Sequence, residues 1–381
     1  AAVVFKPDND HDKGNITIKT WVKTEENGAT NIATGNSTST TAIQPVNSGY
    51  ELEITSSTGT ENPSSNKATD GSNLIEVEVG GGGLKDTTGT EKIDTILLDN
   101  LPNGFLVYVG ADAASATEAK MANNAGGEST NTWLLGDEMP KYIGILPPKN
   151  WSGTLEGIEF TVISGESSLA EKDESTEKFD LVVNPQADGV EIKPTASFGQ
   201  EGEIIGFNLN ANLKDLHQAG DSDQHVELIT LQISGMGDYA AFYVGDELIS
   251  GTERVIFDES SGTYTIKGLS QDDVDNLGFV QAKDSIDTAG IKVKAQSQEY
   301  EVGTDGKPDL NNPAKDADGN DIVSAWTGEK TITTNITSQY GTTDDDRLLY
   351  TDSFIDGRGG EDTIQLRFGE DVTGNKLAEN L

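Results

Sequence analysis

The chain has no cysteine in its 381 residues, so it can form neither a disulfide framework nor a thiol-based site. Basic residues are scarce: 26 Lys and Arg stand against 65 Asp and Glu, giving a formal net charge of -39. Nucleic acid and anionic membrane surfaces are therefore poor partners, because both would be repelled. Aromatic residues make up only 6%, low for a compact enzyme but ordinary for thin β modules rich in Gly, Ser and Thr. No apolar run reaches membrane-spanning length, so no membrane insertion of this segment is expected. The start, Ala1-Ala-Val-Val-Phe-Lys6, lacks a signal-peptide pattern and falls partway through a repeat, as in an interior segment of a longer protein.

Catalytic signatures are missing as well. His11, His217 and His225 form no His-Glu-x-x-His motif, no Gly-x-Ser-x-Gly turn presents a nucleophile, and His217 and His225 are expected in exposed loops. Gly80-Gly-Gly-Gly83 is followed by neither Lys-Ser/Thr nor a helix start, so it reads as a flexible turn between strands rather than a phosphate loop. With so many carboxylates, no single pair points to glycoside hydrolysis. The chain is expected not to be an enzyme, with an extracellular hydrolase as the least favoured alternative.

What the chain does have is repetition. The phrase Asn150-Trp-Ser-Gly-Thr-Leu-Glu-Gly-Ile-Glu-Phe-Thr-Val162 leads into Ser175 to Ile192. Weaker versions occur at Lys13 to Val22 followed by Ser37 to Ile54, and at Thr288 to Ala295 followed by Gly328 to Thr337. Such spacing indicates a tandem array of modules. The expected division is 1–48 as the trailing part of a β module, 49–189 and 190–340 as complete units, and 341–381 as a distinct end segment. Period-2 stretches such as Leu74 to Val79 and Tyr264 to Ile266 predict half-buried strands, and several short strands per unit predict an all-β fold of tandem Ig/cadherin-like antiparallel β-sandwiches. Two short helices are expected, at Ser115–Ala122 and Ser270–Leu277, each opened by a capping Ser.

The excess carboxylate needs neutralising, and Ca2+ suits clustered oxygen ligands best. Matched acidic turns precede similar strands in the two full units: Asp86 to Glu91 in the first, and Asp221, Asp223 and Glu227 in the second. Asp188 lies at the expected junction, where a carboxylate can join ligands from both sides. An acidic insertion, Thr304 to Asp321, places Asp316, Asp318 and Asn320 in alternation as in the first half of an EF-hand loop, although Asp321 and Thr327 stand where Gly and Glu are required. A similar triad, Asp8, Asp10 and Asp12, has Lys13 and Lys19 at those places. Each cluster is also readable as a solvated acidic loop; their number and placement favour calcium. Trp21, Trp133 and Trp151 are expected as core or inter-sheet plugs, while Trp326, five residues beyond Asp321, is the best aromatic candidate for a ligand, and Asp309 of the insertion is a second ligand-binding candidate.

The tail carries Phe354-Ile-Asp-Gly-Arg-Gly-Gly-Glu-Asp-Thr-Ile364, in which Asp356, the three glycines and Asp362 resemble one turn of the calcium-binding nonapeptide repeat of RTX proteins, with Arg358 interrupting the glycines. With Leu101-Pro-Asn-Gly104, Trp151-Ser-Gly-Thr154 and Asn184-Pro-Gln-Ala-Asp-Gly189, most of the chain resembles the long repeats of giant RTX adhesins of Gram-negative bacteria exported by type I secretion. The resemblance implies calcium-rigidified modules at the extracellular bacterial cell surface, active in adhesion and biofilm. It implies as partners the neighbouring repeats of the same chain and a peptide or glycan on a host or neighbouring cell. The alternative within that reading is a ligand-binding module acting through calcium near Asp316.

Overall fold

In the computed structural model the described residues are 46–337, apart from 87–89, 124–128, 168, 201–202, 216–222, 237–239 and 281–289, together with the backbone of strands within 14–43, 347–350 and 363–366. The chain divides into two compact units, Ala1–Asn184 and Pro185–Leu381. Each is a β-sandwich, as the alternation of apolar and polar residues predicts.

In the first unit a six-stranded sheet runs in the order Lys120–Asn123, Ser129–Gly136, Glu91–Asp99, Gly153–Glu166, Asp173–Asn184, Ser57–Thr60. Neighbours are antiparallel except the last pair, where Leu181 to Asn184 runs parallel to Ser57 to Thr60. A second sheet orders Thr117–Glu118, Leu106–Gly110, Tyr142–Leu146 and Ile75–Glu76. Period-2 geometry sends alternate side chains of each strand inward. Ile96, Leu98, Ile158, Phe160 and Val162 from one sheet thus meet Val107, Ile143 and Ile145 from the other in a single core. Trp133 and Trp151 are buried in it, and Trp151 meets Phe105 edge-on at 4.9 Å between ring centres. Each such side chain contributes roughly 1.5–3 kcal/mol on burial.

The second unit repeats the plan. Its larger sheet runs Val255–Asp258, Thr263–Leu269, His225–Ser234, Ile291–Val302, Pro308–Pro313, with Lys330–Ile332 also pairing with Ile291–Val302. The smaller sheet orders Ile205–Gly206, Leu277–Val280, Ala241–Val244 and Glu247–Leu248. Here the centre is aromatic: Phe207 lies 4.7 Å from Phe279, and Phe242 meets Tyr264 at 4.9 Å. Near the end of the chain, Arg347–Tyr350 pairs in parallel with Thr363–Leu366.

One repeat is carried by structure more than by words. Ser57-Thr-Gly-Thr60 and Ser197-Phe-Gly-Gln200 each form the parallel edge strand of their unit, the latter beside Thr334–Thr337. Both serines are buried. A Cβ on Gly59 would stand 2.4 Å from Ile75 Cγ1, and one on Gly199 2.5 Å from Ile205 Cγ1. Only glycine lets these strands close on the isoleucine beneath.

Three local expectations are corrected. Ser115–Ala122 is not a helix: Thr117–Glu118 joins the smaller sheet and Lys120–Asn123 the larger, because the segment crosses between layers and inserts Ala119 into the core. Gly80 to Gly83 lies within the strand Val79–Leu84, paired with Tyr50–Ile54, where a Cβ on Gly81 would meet the Glu51 carbonyl oxygen at 2.2 Å. His225 opens a strand instead of occupying an exposed loop, and its Nε2 faces Glu301 at 3.6 Å. The Ser270 helix forms over Gln271–Asp275, closed by reciprocal bonds between Ser270 and Asp273.

Replacing Gly59 or Gly199 with Ala is expected to cost about 1–3 kcal/mol by overpacking. Gly328→Ala, with open space around it, is expected to stay within about 0.5 kcal/mol. Urea unfolding of the three variants checks this.

Candidate metal centre

The two units carry a buried glutamate pair at the same place in the sheet. In the first, the strand starting at Glu91 pairs with the strand ending at Glu166, and these two glutamates are directly opposite. In the second, Glu227 is opposite Glu299 in the equivalent strand pair. Cross-strand partners project to the same side of a sheet, so each pair presents two carboxylates together. All four are buried, Glu166 at 0% and Glu227 at 2% exposure.

A strand start wraps each pair in the same way. Gly49 N–H donates to Glu91 Oε1 at 3.0 Å, and Gly189 N–H donates to Glu227 Oε1 at 3.0 Å. A serine on the partner strand hydrogen-bonds the same glutamate, Ser164 in the first unit and Ser297 in the second. The glycine carbonyl then receives the N–H of Lys85 at 3.0 Å or Lys214 at 3.1 Å. The next residue is a buried aspartate, Asp86 or Asp215. Carboxylate oxygens of Asp215 and Glu299 lie within 4.8 Å of each other. Each unit therefore carries a buried aspartate after the lysine and a buried glutamate pair: Asp86 with Glu91 and Glu166, or Asp215 with Glu227 and Glu299, and in the second unit Asp215 lies near Glu299 and its charge acts on Glu227.

The electrostatics of Glu227 oppose its charged form. Burial pushes the Glu227 carboxyl up to about 7, the negative charges of Asp215 and Asp188 push the same way, and the bonds from Ser297 and Gly189 only partly oppose this. Glu227 Oε2 and Glu166 Oε1 are buried and have no hydrogen-bond partner. Glu166 Oε2 takes a bond from Thr90. Lys172 Nζ pairs with Asp94 at 3.2 Å and donates to the Glu166 carbonyl at 3.4 Å. An unpaired buried carboxylate is costly, and clustered hard oxygens are the donor set of a hard divalent cation.

Of the residues expected from sequence, Asp86, Glu91, Asp188 and Glu227 fall at these clusters. The matching aspartate in the second unit is Asp215, whereas Asp221 lies outside the described residues, as do Asp8, Asp10, Asp12, Asp356 and Asp362. Asp223 accepts the His225 N–H at 3.2 Å. The Asp316 loop is a turn closed on itself. Asp316 Oδ1 accepts the N–H of Asp318 at 3.0 Å and of Asn320 at 2.8 Å, while Oδ2 accepts from Asn320 Nδ2 at 3.1 Å. The Asn320 bonds hold the Asp316 carboxyl below the usual range. Asp321 pairs with Lys315. Asp309 Oδ1 accepts the Asn311 N–H at 3.1 Å. Over the Trp326 ring sits Lys294 Nζ, 4.8 Å from its centre.

Sequence reasoning missed Glu166, Asp215 and Glu299. Two signals were present: the tripeptide Leu-Lys-Asp recurs at 84–86 and 213–215, and Ser-x-Glu recurs at 164–166 and 297–299.

Glu227 generates a pH prediction for metal-stripped protein. Its folded value lies above the ordinary 4.5, so the folded state holds the proton more tightly. The stability this provides is present below the unfolded value and is lost as pH rises through about 7. Thermal unfolding is expected to show the second unit weakening by about 3 kcal/mol between those values. Glu227→Gln should remove most of that slope.

No protein-family model matches the chain, and no curated protein is similar to it at a significant level. Similar solved structures include human protocadherin-24 EC1-2, form II, at 8% identity over 76% of this chain and 100% of that one, with a TM-score of 0.22. The B domain of a biofilm associated protein is 11% identical over 69% and 83%, with a TM-score of 0.20. The Yersinia pseudotuberculosis adhesin InvE is 11% identical over 74% and 58%, with a TM-score of 0.23. Likenesses this slight decide neither family nor function. Among the described residues no helix is long and apolar enough to cross a membrane.

Proposed function

We propose that the chain is an extracellular segment of a bacterial surface adhesin of the RTX type exported by type I secretion, whose β-sandwich units project and stiffen the adhesin once calcium is bound. The observation that carries this reading is the recurrence, at the same register in both units, of a buried glutamate pair with an aspartate beside it. Glu166 and Glu227 each keep a buried oxygen without a hydrogen bond there. A chance acidic surface would place its charges in water, not opposite one another between strands.

Calcium fits better than magnesium because it accepts more oxygens in a less regular arrangement, and these ligands come from separate strands and a loop. The linkage has a direction. A cation that binds the folded state selectively stabilises it by about 2.7 kcal/mol at a hundredfold excess over Kd. In the cytoplasm, where free calcium is scarce, the units would stay loosely held and exportable; outside the cell they would tighten. The -39 charge and the absence of cysteine suit a fold stapled by cations instead of disulfides. The glycine-rich turn around Asp356 and Asp362 supports the RTX reading through sequence alone.

Thermal unfolding in chelator, in magnesium and in a calcium series tests the proposal. Calcium is expected to raise the unfolding temperature of both units, and magnesium to have little effect. Glu166→Gln should abolish the response of the first unit and leave the second intact, and Glu299→Gln should do the reverse. Equal unfolding temperatures in chelator and calcium would overturn the reading.

A further inference from the structure

We propose that the second unit carries a recognition cleft for an uncharged glycan, formed between the turn at Thr252–Arg254, the strand Thr263–Leu269 and the edge strand Pro308–Pro313. The cleft has a volume of about 600 Å3, within the roughly 300–1,000 Å3 of small-ligand sites. It is built by the acidic insertion that follows Val302, and the first unit instead turns directly from Glu166 back to Asp173.

One side of its lining is anchored by hydrogen bonds. Arg254 is held by three bonds: Nε to the Lys267 carbonyl at 3.4 Å, and Nη2 to the Gly268 carbonyl at 2.8 Å and to Asp273 Oδ2 at 2.6 Å. A guanidinium has five N–H donors, so the two on Nη1 are left without a partner among the described residues. Leu310 lies over Gly268, whose φ is +64 and where a Cβ would stand 2.5 Å from Leu310 Cδ2. Leu310 is nevertheless 39% exposed, and with Pro308 it forms an apolar strip beside the buried Tyr300. Around that strip stand the Lys267 ammonium, the Glu253 carboxylate and the Asn311 amide, none with a side-chain partner among the described residues, and Asp309, whose Oδ1 alone is engaged.

These groups select the ligand's chemistry. Arg254 is paired with Asp273, and the remaining charges of the lining, Lys267 on one side and Glu253 and Asp309 on the other, are of both signs, so the cleft favours neither a strong anion nor a strong cation. Donors and acceptors together with an apolar strip match the vicinal hydroxyls and C–H face of a sugar. A peptide added as a further strand is disfavoured, because Pro308 and Pro313 remove N–H donors from the edge. No cluster carboxylate belongs to the cleft. The inference deepens the adhesive reading above and rests on it.

The experiment applies the full chain, in calcium, to an array of mannose-, glucose-, galactose- and fucose-terminated neutral oligosaccharides, with sialylated glycans and short peptides alongside. Binding to a subset of neutral glycans is expected, weakened about tenfold or more by Lys267→Ala and by Asn311→Ala at unchanged unfolding temperature, and unaffected by Asp318→Ala. Retention of no neutral glycan, binding of peptides or sialylated glycans alone, or equal binding by both variants would overturn the cleft. The two proposals fail separately. A chain stabilised by calcium that retains no glycan leaves the metal centres standing; one that binds glycan without a calcium response upholds the cleft and overturns the metal centres.

Discussion

Two glutamates facing each other across neighbouring strands, out of water, set the terms for each unit of this protein. Like charges directly opposite on a sheet are destabilising, and burial magnifies the repulsion. The fold nevertheless brings backbone N–H groups and a serine to the same carboxylates, at Glu91 and again at Glu227. In the second unit the burial that raises the Glu227 carboxyl couples the stability of the sandwich to pH at one end of its main strand pair.

The remaining architecture follows from what must hold that pair in place. The glutamates belong to central strands of the larger sheet of each unit, whose inward faces form the core: Ile96, Leu98 and Phe160 in one, Ile229, Leu231 and Ala295 in the other. Gly49 and Gly189, both at positive φ, let the backbone approach the carboxylate closely. The aspartate after Lys85 or Lys214 is fixed by a strand bond that shares the same glycine. Core packing and the glutamate pair thus use the same strands, and loss of either would loosen the other.

The second unit adds to this scaffold. Where the first turns back at once after Glu166, the second extends an edge strand and a self-closed turn around Asp316. That extension brings Asp309, Leu310 and Asn311 opposite Arg254 and Lys267. A shared scaffold with one elaborated edge is a common way for a repeated domain to acquire a recognition surface, because loops and edges vary without disturbing the core.

Strand periodicity, the repeated phrases and the charge imbalance were legible without coordinates, because they are local or compositional. They lead to an all-β array with acidic turns, to Asp86, Glu91, Asp188 and Glu227 as ligand candidates, and to the Ser270 cap. Other features depend on partners distant in the chain. Glu166 and Glu299 are unremarkable at the ends of their strands until pairing register sets them against Glu91 and Glu227. Asp215 matches Asp86 through the Lys–Gly backbone bond, not through spacing to the next strand, which differs between units. Ser115–Ala122 has helical composition, yet its side chains serve two sheets. The alternating acids at Asp316 look like a cation loop, but the turn's own N–H groups occupy them. Sequence by itself determined the strands, the repeat and the excess of carboxylate; tertiary structure alone decided which carboxylates meet, because antiparallel register joins residues some seventy positions apart.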